Sequence, residues 1–294
     1  MGGQGADVLE LHCGPLRAQV LPALGGSLAG LWLDGEPVLR STPLAQLDSP
    51  RQSACFPLLP YSNRLGHRRF RWAGQDHATA ANFEDSPHSL HGVAWLRAWD
   101  VLEQDADGHR LCLRYRHAPD AHWPFAFEAL QTVALAPDAL TLTLGLHNTD
   151  TRTQPAGLGW HPYFVRRPDS RIDIALAERW DKDSSELPLQ AVAVDGLHAD
   201  VERLALDHCF GGWDGTARVR DGRLQLTLTS DLRWLVVFTP PGRDFFCIEP
   251  VSHRNNAVQA DDPLALGLVA LAPGQRLQAQ MRLQISPTPS STGL

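Results

Sequence analysis

The chain has 294 residues, of which 43% are hydrophobic and 20% are charged, and its formal net charge is −7. This apolar content is too high for an intrinsically disordered chain, and the acidic balance gives no general attraction to the phosphates of nucleic acids. No segment approaches the roughly 20 consecutive apolar residues that a membrane-spanning helix needs.

The N-terminal segment and the cysteines indicate the compartment. Residues 1–11 have neither a basic stretch nor an apolar stretch, so we expect no signal peptide. The five cysteines are scattered, odd in number and free of any CxxC pair, which argues against a disulfide framework or a cysteine zinc site. We therefore expect a soluble, cytoplasmic protein.

Alternation of apolar and polar residues dominates the chain. It is clearest in four segments, at 110–116, 140–146, 223–229 and 276–285, and turn residues such as Asp107-Gly108 and Pro137-Asp138 bound them. A period of two predicts strands with one buried face. Two further runs, 234–238 and 245–248, are apolar at every position, which favours interior strands of a thick sandwich.

Helical periodicity is nearly absent, and only Ala260 to Leu268 indicates a turn or two of helix. Because strands do not alternate with helices, a parallel sheet is disfavoured. The sequence therefore predicts an all-β protein, a large antiparallel β-sandwich in one domain over residues 1–285. Residues 286–294 are rich in Pro, Ser and Thr, and we expect them to form a disordered tail.

Glu249 is the first candidate for chemistry. It directly follows the apolar run that ends at Ile248, and it precedes Pro250. A carboxylate at the end of a buried strand is unfavourable unless it is paired or hydrogen-bonded. Glu249 is therefore either a base whose pKa is raised by apolar surroundings or a strand-end residue that turns to solvent.

Two histidines lie in segments that suit a small-molecule site. His161 stands beside Trp160 and Tyr163, and aromatic rings commonly wall such sites. His91 precedes Gly92, where the backbone can approach a ligand closely. Each has a structural alternative, because His161 also suits a core histidine and His91 a loop histidine.

Arg64 and Asp207 are further candidates with structural alternatives of their own. Arg64 precedes the basic residues 67–69, so it also suits a solvated basic turn. Asp207 equally suits an Asx turn.

Other chemistries have little support in the sequence. It contains no P-loop, no GxGxxG after a strand and no GxSxG, so nucleotide binding and serine acyl transfer are disfavoured. His88 and His91 have a spacing that suits a metal but lack a third ligand close by. We therefore expect neither a metal nor another cofactor.

Taken together, these segments resemble the aldose 1-epimerases, or mutarotases, of the galactose-mutarotase-like superfamily. The resemblance spans residues 63 to 257 and extends over most of the chain through the flanking strands. The matching features are Asn63-Arg64 followed by Phe70, Leu90-His91-Gly92, His161-Pro162-Tyr163-Phe164, Leu206-Asp207-His208-x-Phe210, and Ile248-Glu249-Pro250 with Asn256-Ala257 after it.

The resemblance implies a large antiparallel sandwich with a sugar site on a concave face. By motif, Glu249 matches the family's general base and His161 its general acid. The other matches are to sugar-binding residues, namely His91, Arg64 with its neighbour Asn63, and Asp207. Two departures leave the identity of the sugar open: Asn256 stands where galactose enzymes usually have an acidic residue, and Trp160 where an Asn is familiar.

The function implied by the resemblance is mutarotation, in which a free aldose opens and recloses on the other face of C1. Glu249 would take the proton of the C1 hydroxyl while His161, on the opposite side of the sugar, protonates the ring oxygen. The expected partner is therefore a small sugar, and the sequence does not indicate an oligomeric state.

Three alternatives stay open. One is a hexose-phosphate epimerase, for which Arg68, Arg69 and Arg71 are the candidate phosphate ligands. Another is a non-catalytic sugar-binding or regulatory protein, although binding alone needs no acid–base pair. The third is a lyase or isomerase that acts on a modified sugar.

Overall fold

The computed structural model describes residues 8–84 and 86–289, and β-strands dominate it. In chain order the strands are β1 Leu9–Cys13, β2 Leu16–Leu21, β3 Ser27–Leu33, β4 Glu36–Leu39, β5 Pro57–Leu58, β6 Arg64–Leu65, β7 Arg69–Trp72, β8 Gln75–Ala78, β9 Ser89–Leu90, β10 Asp100–Gln104, β11 Arg110–His117, β12 Phe127–Ala136, β13 Ala139–Asn148, β14 Gln154–Ala156, β15 Gly159–Trp160, β16 Tyr163–Val165, β17 Arg171–Ile174, β18 Glu178–Lys182, β19 Pro188–Ala193, β20 Leu197–Asp200, β21 Asp207–Gly211, β22 Thr216–Arg220, β23 Leu224–Ser230, β24 Trp234–Phe238, β25 Phe245–Val251, β26 Val269–Leu271 and β27 Arg276–Pro287. The helical segments are short 3₁₀ turns at Leu44–Gln46, Pro50–Gln52, Gly66–Arg68, Ala94–Leu96, Val201–Arg203 and Ala257–Gln259.

Two large antiparallel sheets form the sandwich. The first has twelve strands in the order β1-β2-β3-β4-β16-β25-β24-β21-β18-β19, with β15 pairing with β25 and β5 pairing with β15. The second has nine strands in the order β10-β11-β12-β13-β27-β23-β22-β17-β20. Leu31 and Ile248 of the first sheet share one buried core with Leu113, Leu142 and Leu283 of the second. The predicted antiparallel sandwich is confirmed.

The alternating segments form the strands that their period predicts. In β11 and β13, for example, buried residues such as Leu113 and Leu142 point into the core, and the intervening residues are less buried. This pattern places one face of the second sheet against the core and leaves the other largely to solvent.

The strands that are apolar at every position, β24 and β25, are buried on both faces. Leu235 and Ile248 belong to the core between the sheets. Val236 and Cys247 point the other way and belong to a second apolar cluster, which includes Tyr163. The first sheet therefore has a covered outer face, and Glu249 lies on the same side of β25 as Cys247 because side chains alternate along a strand.

Two segments differ from the sequence prediction. Residues 260–268 form turns rather than helix, because Asp262 accepts hydrogen bonds from the backbone of Leu264 and Ala265 and Gly267 has a positive φ. The last strand continues through Pro287, two residues into the segment predicted to be a disordered tail.

The rest of the predicted tail, residues 290–294, lies outside the described residues, and so do residues 1–7 of the segment in which we expected no signal peptide. The five cysteines are all free thiols. Among the described residues, no helix has both the length and the apolar character needed to cross a membrane.

Candidate active site

A cleft of about 620 Å³ opens on the outer face of the twelve-stranded sheet. It is lined by all six site residues that the sequence predicts, which come from distant parts of the chain: Asn63, Arg64, His91, His161, Asp207 and Glu249. Phe56, Phe83, Tyr163, Phe238 and Phe245 add aromatic surface. Apolar walls with a few convergent polar groups are typical of small-molecule sites.

Glu249 and His161 form a buried polar pair that lines the cleft. Glu249 is 2% exposed and His161 is 8% exposed, and the distance from His161 Nε2 to Glu249 Oε1 is 3.3 Å. One further atom of each side chain, His161 Nδ1 and Glu249 Oε2, is fully buried and has no hydrogen-bond partner among the described residues. An unpaired buried polar atom is unfavourable, so the fold retains these two atoms at a cost.

Burial shifts the two groups in opposite directions. Burial, together with the carboxylate of Asp207, raises the pKa of Glu249 well above its ordinary value, although Arg64 opposes the shift. Burial lowers the pKa of His161 well below its ordinary value, and His91 and Arg40 add to this effect. Both shifts disfavour a net charge on the pair, so its neutral state, which holds one proton, is favoured over a wide pH range.

The imidazole of His161 is fixed by stacking. Its ring lies 4.8 Å from the ring of Phe56 and 4.5 Å from that of Tyr163, with interplanar angles of 21° and 24°. Trp160, which the sequence suggested as a possible wall, is fully buried in the core between the sheets. The side chains of β15 and β16 alternate, so Tyr163 faces the cleft and Trp160 does not.

His91 is held in a defined tautomer by Asn63. The backbone N–H of Asn63 donates to His91 Nδ1 at 3.2 Å, and the N–H of His91 donates to the carbonyl of Asn63 at 2.9 Å. Burial lowers the pKa of His91 to about 3, so the ring is neutral. A neutral ring that accepts at Nδ1 carries its proton on Nε2, and this N–H is then available to a ligand.

Both residues of this contact adopt positive φ, 55° at Asn63 and 62° at His91. Side chains other than glycine rarely adopt this conformation, and where it occurs it concentrates at functional sites.

Arg64 and Asp207 belong to a network of two cations and two carboxylates. Arg64 Nη2 donates to Glu186 at 2.9 Å and to Asp207 at 3.3 Å. Lys182 Nζ donates to the same two carboxylates, at 2.7 Å each. Burial opposes ionisation of Asp207, but Arg64 and Lys182 hold the pKa of its carboxyl below the ordinary value. Asp207 is therefore an ionised acceptor at neutral pH.

Several candidates from the sequence have other places in the fold. Arg69 and Arg71 line a different depression beside β7 and β8, and Arg71 pairs with Asp76 at 3.0 Å. Arg68 does not line the cleft either. The candidate phosphate ligands Arg68, Arg69 and Arg71 are therefore not positioned to bind a phosphate group in this cleft.

The ring nitrogens of His88 both contact the main chain. Nδ1 accepts from the N–H of His67 at 2.9 Å, and Nε2 lies 2.7 Å from the carbonyl of Ser185. Asn256 accepts a hydrogen bond from the N–H of Gly66 and so fixes the turn after Arg64, rather than lining the cleft. These two side chains therefore support the loops of the site.

Among the described residues, one group of three side chains places metal-ligand atoms within 4.8 Å of one another, and it is His161, Cys247 and Glu249. Burial, together with Glu249, raises the pKa of the Cys247 thiol well above its ordinary value. A protonated thiol is a poor metal ligand, so the group suits proton transfer better than metal binding.

Sequence reasoning missed Lys182, Glu186 and Arg40. Lys182 and Glu186 lie on and after β18, far along the chain from Arg64, and no local motif connects them. Arg40 follows β4 and reaches the cleft because β4 pairs with β16. Only the pairing of distant strands brings these residues to the site.

Comparisons with known proteins agree with this architecture. The sequence profile of the family described as aldose 1-epimerase matches residues 7–284. The chain is 31% identical over 300 residues to the uncharacterized protein YphB of Escherichia coli K12, and the match covers 95% of this chain and 98% of that protein. It is 24% identical over 282 residues to the uncharacterized protein YihR of the same organism, with 88% of each covered.

Solved structures show the same fold. A crystal structure of a candidate aldose 1-epimerase from Escherichia coli K12 has a TM-score of 0.87 and 29% identity, covering 96% of this chain and 99% of that one. Galactose 1-epimerase from Lactobacillus acidophilus NCFM has a TM-score of 0.80 at 14% identity, covering 98% and 97%. The second likeness bears on the fold alone.

Proposed function

This chain belongs to the aldose 1-epimerase family, and we propose that it interconverts the α and β anomers of an aldose by opening and reclosing the sugar ring. The observation that carries the proposal is the buried pair of Glu249 and His161, whose Oε1 and Nε2 lie 3.3 Å apart in a cleft suited to a small molecule. A base and an acid are the two groups that ring opening requires.

In the proposed reaction, the Glu249 carboxylate takes the proton of the C1 hydroxyl and His161 gives a proton to the ring oxygen. The C1–O5 bond breaks and leaves an open-chain aldehyde. Rotation about C1–C2 presents the other face of the carbonyl, and the ring closes as the two proton transfers reverse. Proton and electron balance are kept without an oxidant, a reductant or a cofactor.

The side-by-side arrangement of the pair differs from the sequence expectation of groups on opposite sides of the sugar. His161 Nε2 and Glu249 Oε1 are 3.3 Å apart. The hydroxyl and ring oxygens of a hemiacetal are both bonded to C1, so two adjacent groups can serve both oxygens. The raised pKa of Glu249 and the lowered pKa of His161 place the shared proton on Glu249. It therefore passes to His161 across this contact before the ring opens.

The remaining residues hold the sugar in this proposal. The Nε2–H of His91 and the guanidinium of Arg64 donate to sugar oxygens, and the ionised Asp207 accepts from hydroxyls. The network with Lys182 fixes Arg64 and Asp207 before the sugar arrives, which reduces the entropy lost on binding.

The test is NMR saturation transfer between the anomers of free aldoses, with the purified protein and with Glu249→Gln, His161→Asn and the double variant. General acid–base catalysis typically contributes about 10²–10⁴-fold, so each single variant should lose at least about 100-fold in kcat. The double variant should lose far less than the product, because the pair acts as a unit. Glu202→Gln, an exposed carboxylate on another turn, is the control and should keep wild-type activity.

Three outcomes would contradict the proposal. A folded Glu249→Gln protein with near wild-type kcat would remove Glu249 from the mechanism. A protein that binds sugars without accelerating exchange would be a sugar-binding protein instead. Loss of activity in EDTA, restored by one divalent metal, would replace proton transfer with metal chemistry at the group that includes Cys247.

A further inference from the structure

Cationic side chains are concentrated in the cleft, although the chain as a whole carries a net charge of −7. Four arginines line it: Arg40, Arg51, Arg64 and Arg243. Arg64 is paired with Asp207 and Glu186. The other three have no carboxylate within ion-pair distance in the part of the chain that the structure describes, although Glu84 also lines the cleft and the charge of Asp244 acts on Arg40. These three arginines are therefore cations without a salt-bridge partner there.

Arg40 is the most constrained of the three. It is half-buried, and its guanidinium carbon lies 3.6 Å from the ring centre of Tyr163 and 4.7 Å from that of Phe245. Its Nε and Nη2 donate to the carbonyl of Ser53 at 3.1 and 2.8 Å. Neutral acceptors and ring faces thus hold a partly desolvated cation, and an anion in the cleft would stabilise it further.

Arg51 and Arg243 stand at the rim of the cleft. Arg51 lies in the 3₁₀ turn Pro50–Gln52, with its guanidinium carbon 4.2 Å from the ring centre of Phe83. Arg243 lies in the loop that joins β24 to β25. The charge of Arg51 contributes to lowering the pKa of His161, so it acts in the same space as the acid–base pair.

The geometry points to an aldose that carries an anionic substituent, a phosphate or a carboxylate, at a carbon away from C1. Arg40, Arg51 and Arg243 would bind that group and would determine specificity. Guanidinium groups pair with both oxyanions through charge-assisted, often bidentate hydrogen bonds. This inference rests on the proposed function, because the anomeric centre must still reach Glu249 and His161.

The first experiment measures kcat/KM for anomer exchange with glucose and galactose and with the matched anions glucose 6-phosphate, galactose 6-phosphate, glucuronate and galacturonate. Hydrogen bonds to charged groups are worth enough to give about tenfold or more. We expect at least one anionic sugar to exceed its neutral parent by that factor. The preference should shrink as salt is added, because the rim charges are exposed. The phosphate and carboxylate arms distinguish the two anions.

The second experiment repeats the comparison with Arg51→Gln and Arg243→Gln, whose side chains are exposed and can be changed without disturbing the core. Each variant should lower the ratio of anionic to neutral kcat/KM by about tenfold. Arg220→Gln, on the exposed side of β22 in the other sheet, removes the same charge outside the cleft and should leave the ratio unchanged.

The outcomes separate this inference from the proposed function. Exchange of neutral sugars with no preference for any anion would overturn the inference and leave the proposed function standing. A folded protein that exchanges no sugar of the panel would overturn both. An anionic preference that both variants keep would overturn the assignment to these arginines.

Discussion

At the scale of single residues, the site depends on how one proton is shared between Glu249 and His161. With two protons the pair is positively charged, with none it is negatively charged, and with one it is neutral. Burial disfavours both charged states, which is why the pKa of Glu249 is raised and the pKa of His161 is lowered. Acid–base catalysis also requires one proton on the pair, and the proposed ring opening starts once that proton has moved from Glu249 to His161.

This sharing predicts a bell-shaped dependence of kcat/KM on pH with a broad top. Activity should fall at low pH as the pair gains a proton, below the ordinary histidine pKa of 6.5. It should fall again on the alkaline side of the plateau, as the pair loses its proton. Because burial raises the pKa of Glu249 well above its ordinary value of 4.5, this fall lies far above pH 4.5. NMR exchange rates from acid to alkaline pH test this. The residual activity of His161→Asn should lose the alkaline limb and keep an acid limb, because only the base Glu249 is left and it gains a proton at low pH. A flat profile in the wild type would contradict the shared proton.

Site residues were predictable from the sequence where a local motif marks them. They were not predictable where only the fold brings them to the cleft. Glu249 stands out because a carboxylate follows an apolar run, although it lies inside β25, which continues to Val251, and not at the end of the strand as expected. The aromatic residues beside His161 indicated a wall, but only the alternation of β15 and β16 decides that Tyr163 faces the cleft and Trp160 the core. Lys182 has no local signal, because its role depends on two carboxylates elsewhere in the chain.

At the scale of elements, the segment His91–Gly92 is positioned by a close approach of two backbones. Gly92 has a φ of 70°, and a Cβ at this position would overlap the carbonyl of Leu59. The N–H of Val93 also donates to that carbonyl at 3.0 Å. Only glycine permits this approach, which places His91 beside Asn63.

Gly92→Ala should therefore destabilise the protein and reduce its activity. An alanine at positive φ costs about 1–2 kcal/mol by itself, and the overlap with Leu59 adds to it. Gly74→Ala is the matched control, because Gly74 has a φ of 80° but a Cβ added there would have no heavy atom within 4 Å. Denaturant unfolding should show a larger loss for Gly92→Ala, and only this variant should lose kcat/KM. Equal losses in both variants would show that the close approach does not matter.

The bounds of strands were predictable where an apolar run or an alternating pattern extends over five or more residues. The run 234–238 coincides with β24, and the alternating segments lie within or close to the bounds of β11, β13, β23 and β27. Strands of two residues, such as β6 and β9, were not predictable because two residues show no period. The helix expected at 260–268 was wrong because Asp262 and Gly267 favour turns that the hydropathy pattern does not reveal.

At the scale of the whole molecule, the core and the site lie on opposite faces of one sheet. The core between the sheets supplies the stability, and the outer face of β24 and β25 carries the cleft. The two-sided apolar runs predicted interior strands. The insertion of β16 between β4 and β25 was not predictable, because it depends on long-range pairing.

Because the site lies apart from the core, we predict that the Glu249 carboxylate lowers the stability of the folded protein. Its pKa is raised in the folded protein, so the folded state holds a proton that the unfolded chain releases near the ordinary value of 4.5. Below that value both states are protonated and glutamate resembles glutamine. As pH rises from 4.5 toward the pKa of Glu249 in the folded state, the free energy of unfolding of the wild-type protein falls by about 1.4 kcal/mol per pH unit. A variant with a side chain that does not titrate at this position avoids that loss. Glu249→Gln should therefore unfold at higher denaturant concentration than wild type, by a margin that grows with pH.

Denaturant unfolding at pH 5, 6, 7 and 8 measures that margin. Glu202→Gln serves again as the control, because substitutions of exposed side chains usually change stability by less than about 0.5 kcal/mol. A Glu249→Gln protein that is less stable than wild type at pH 8 would mean that the carboxylate stabilises the fold. A Glu249→Gln protein that is inactive but more stable than wild type would instead show that the carboxylate serves the reaction and not the fold. The sandwich would then be more stable without the group that the chemistry requires.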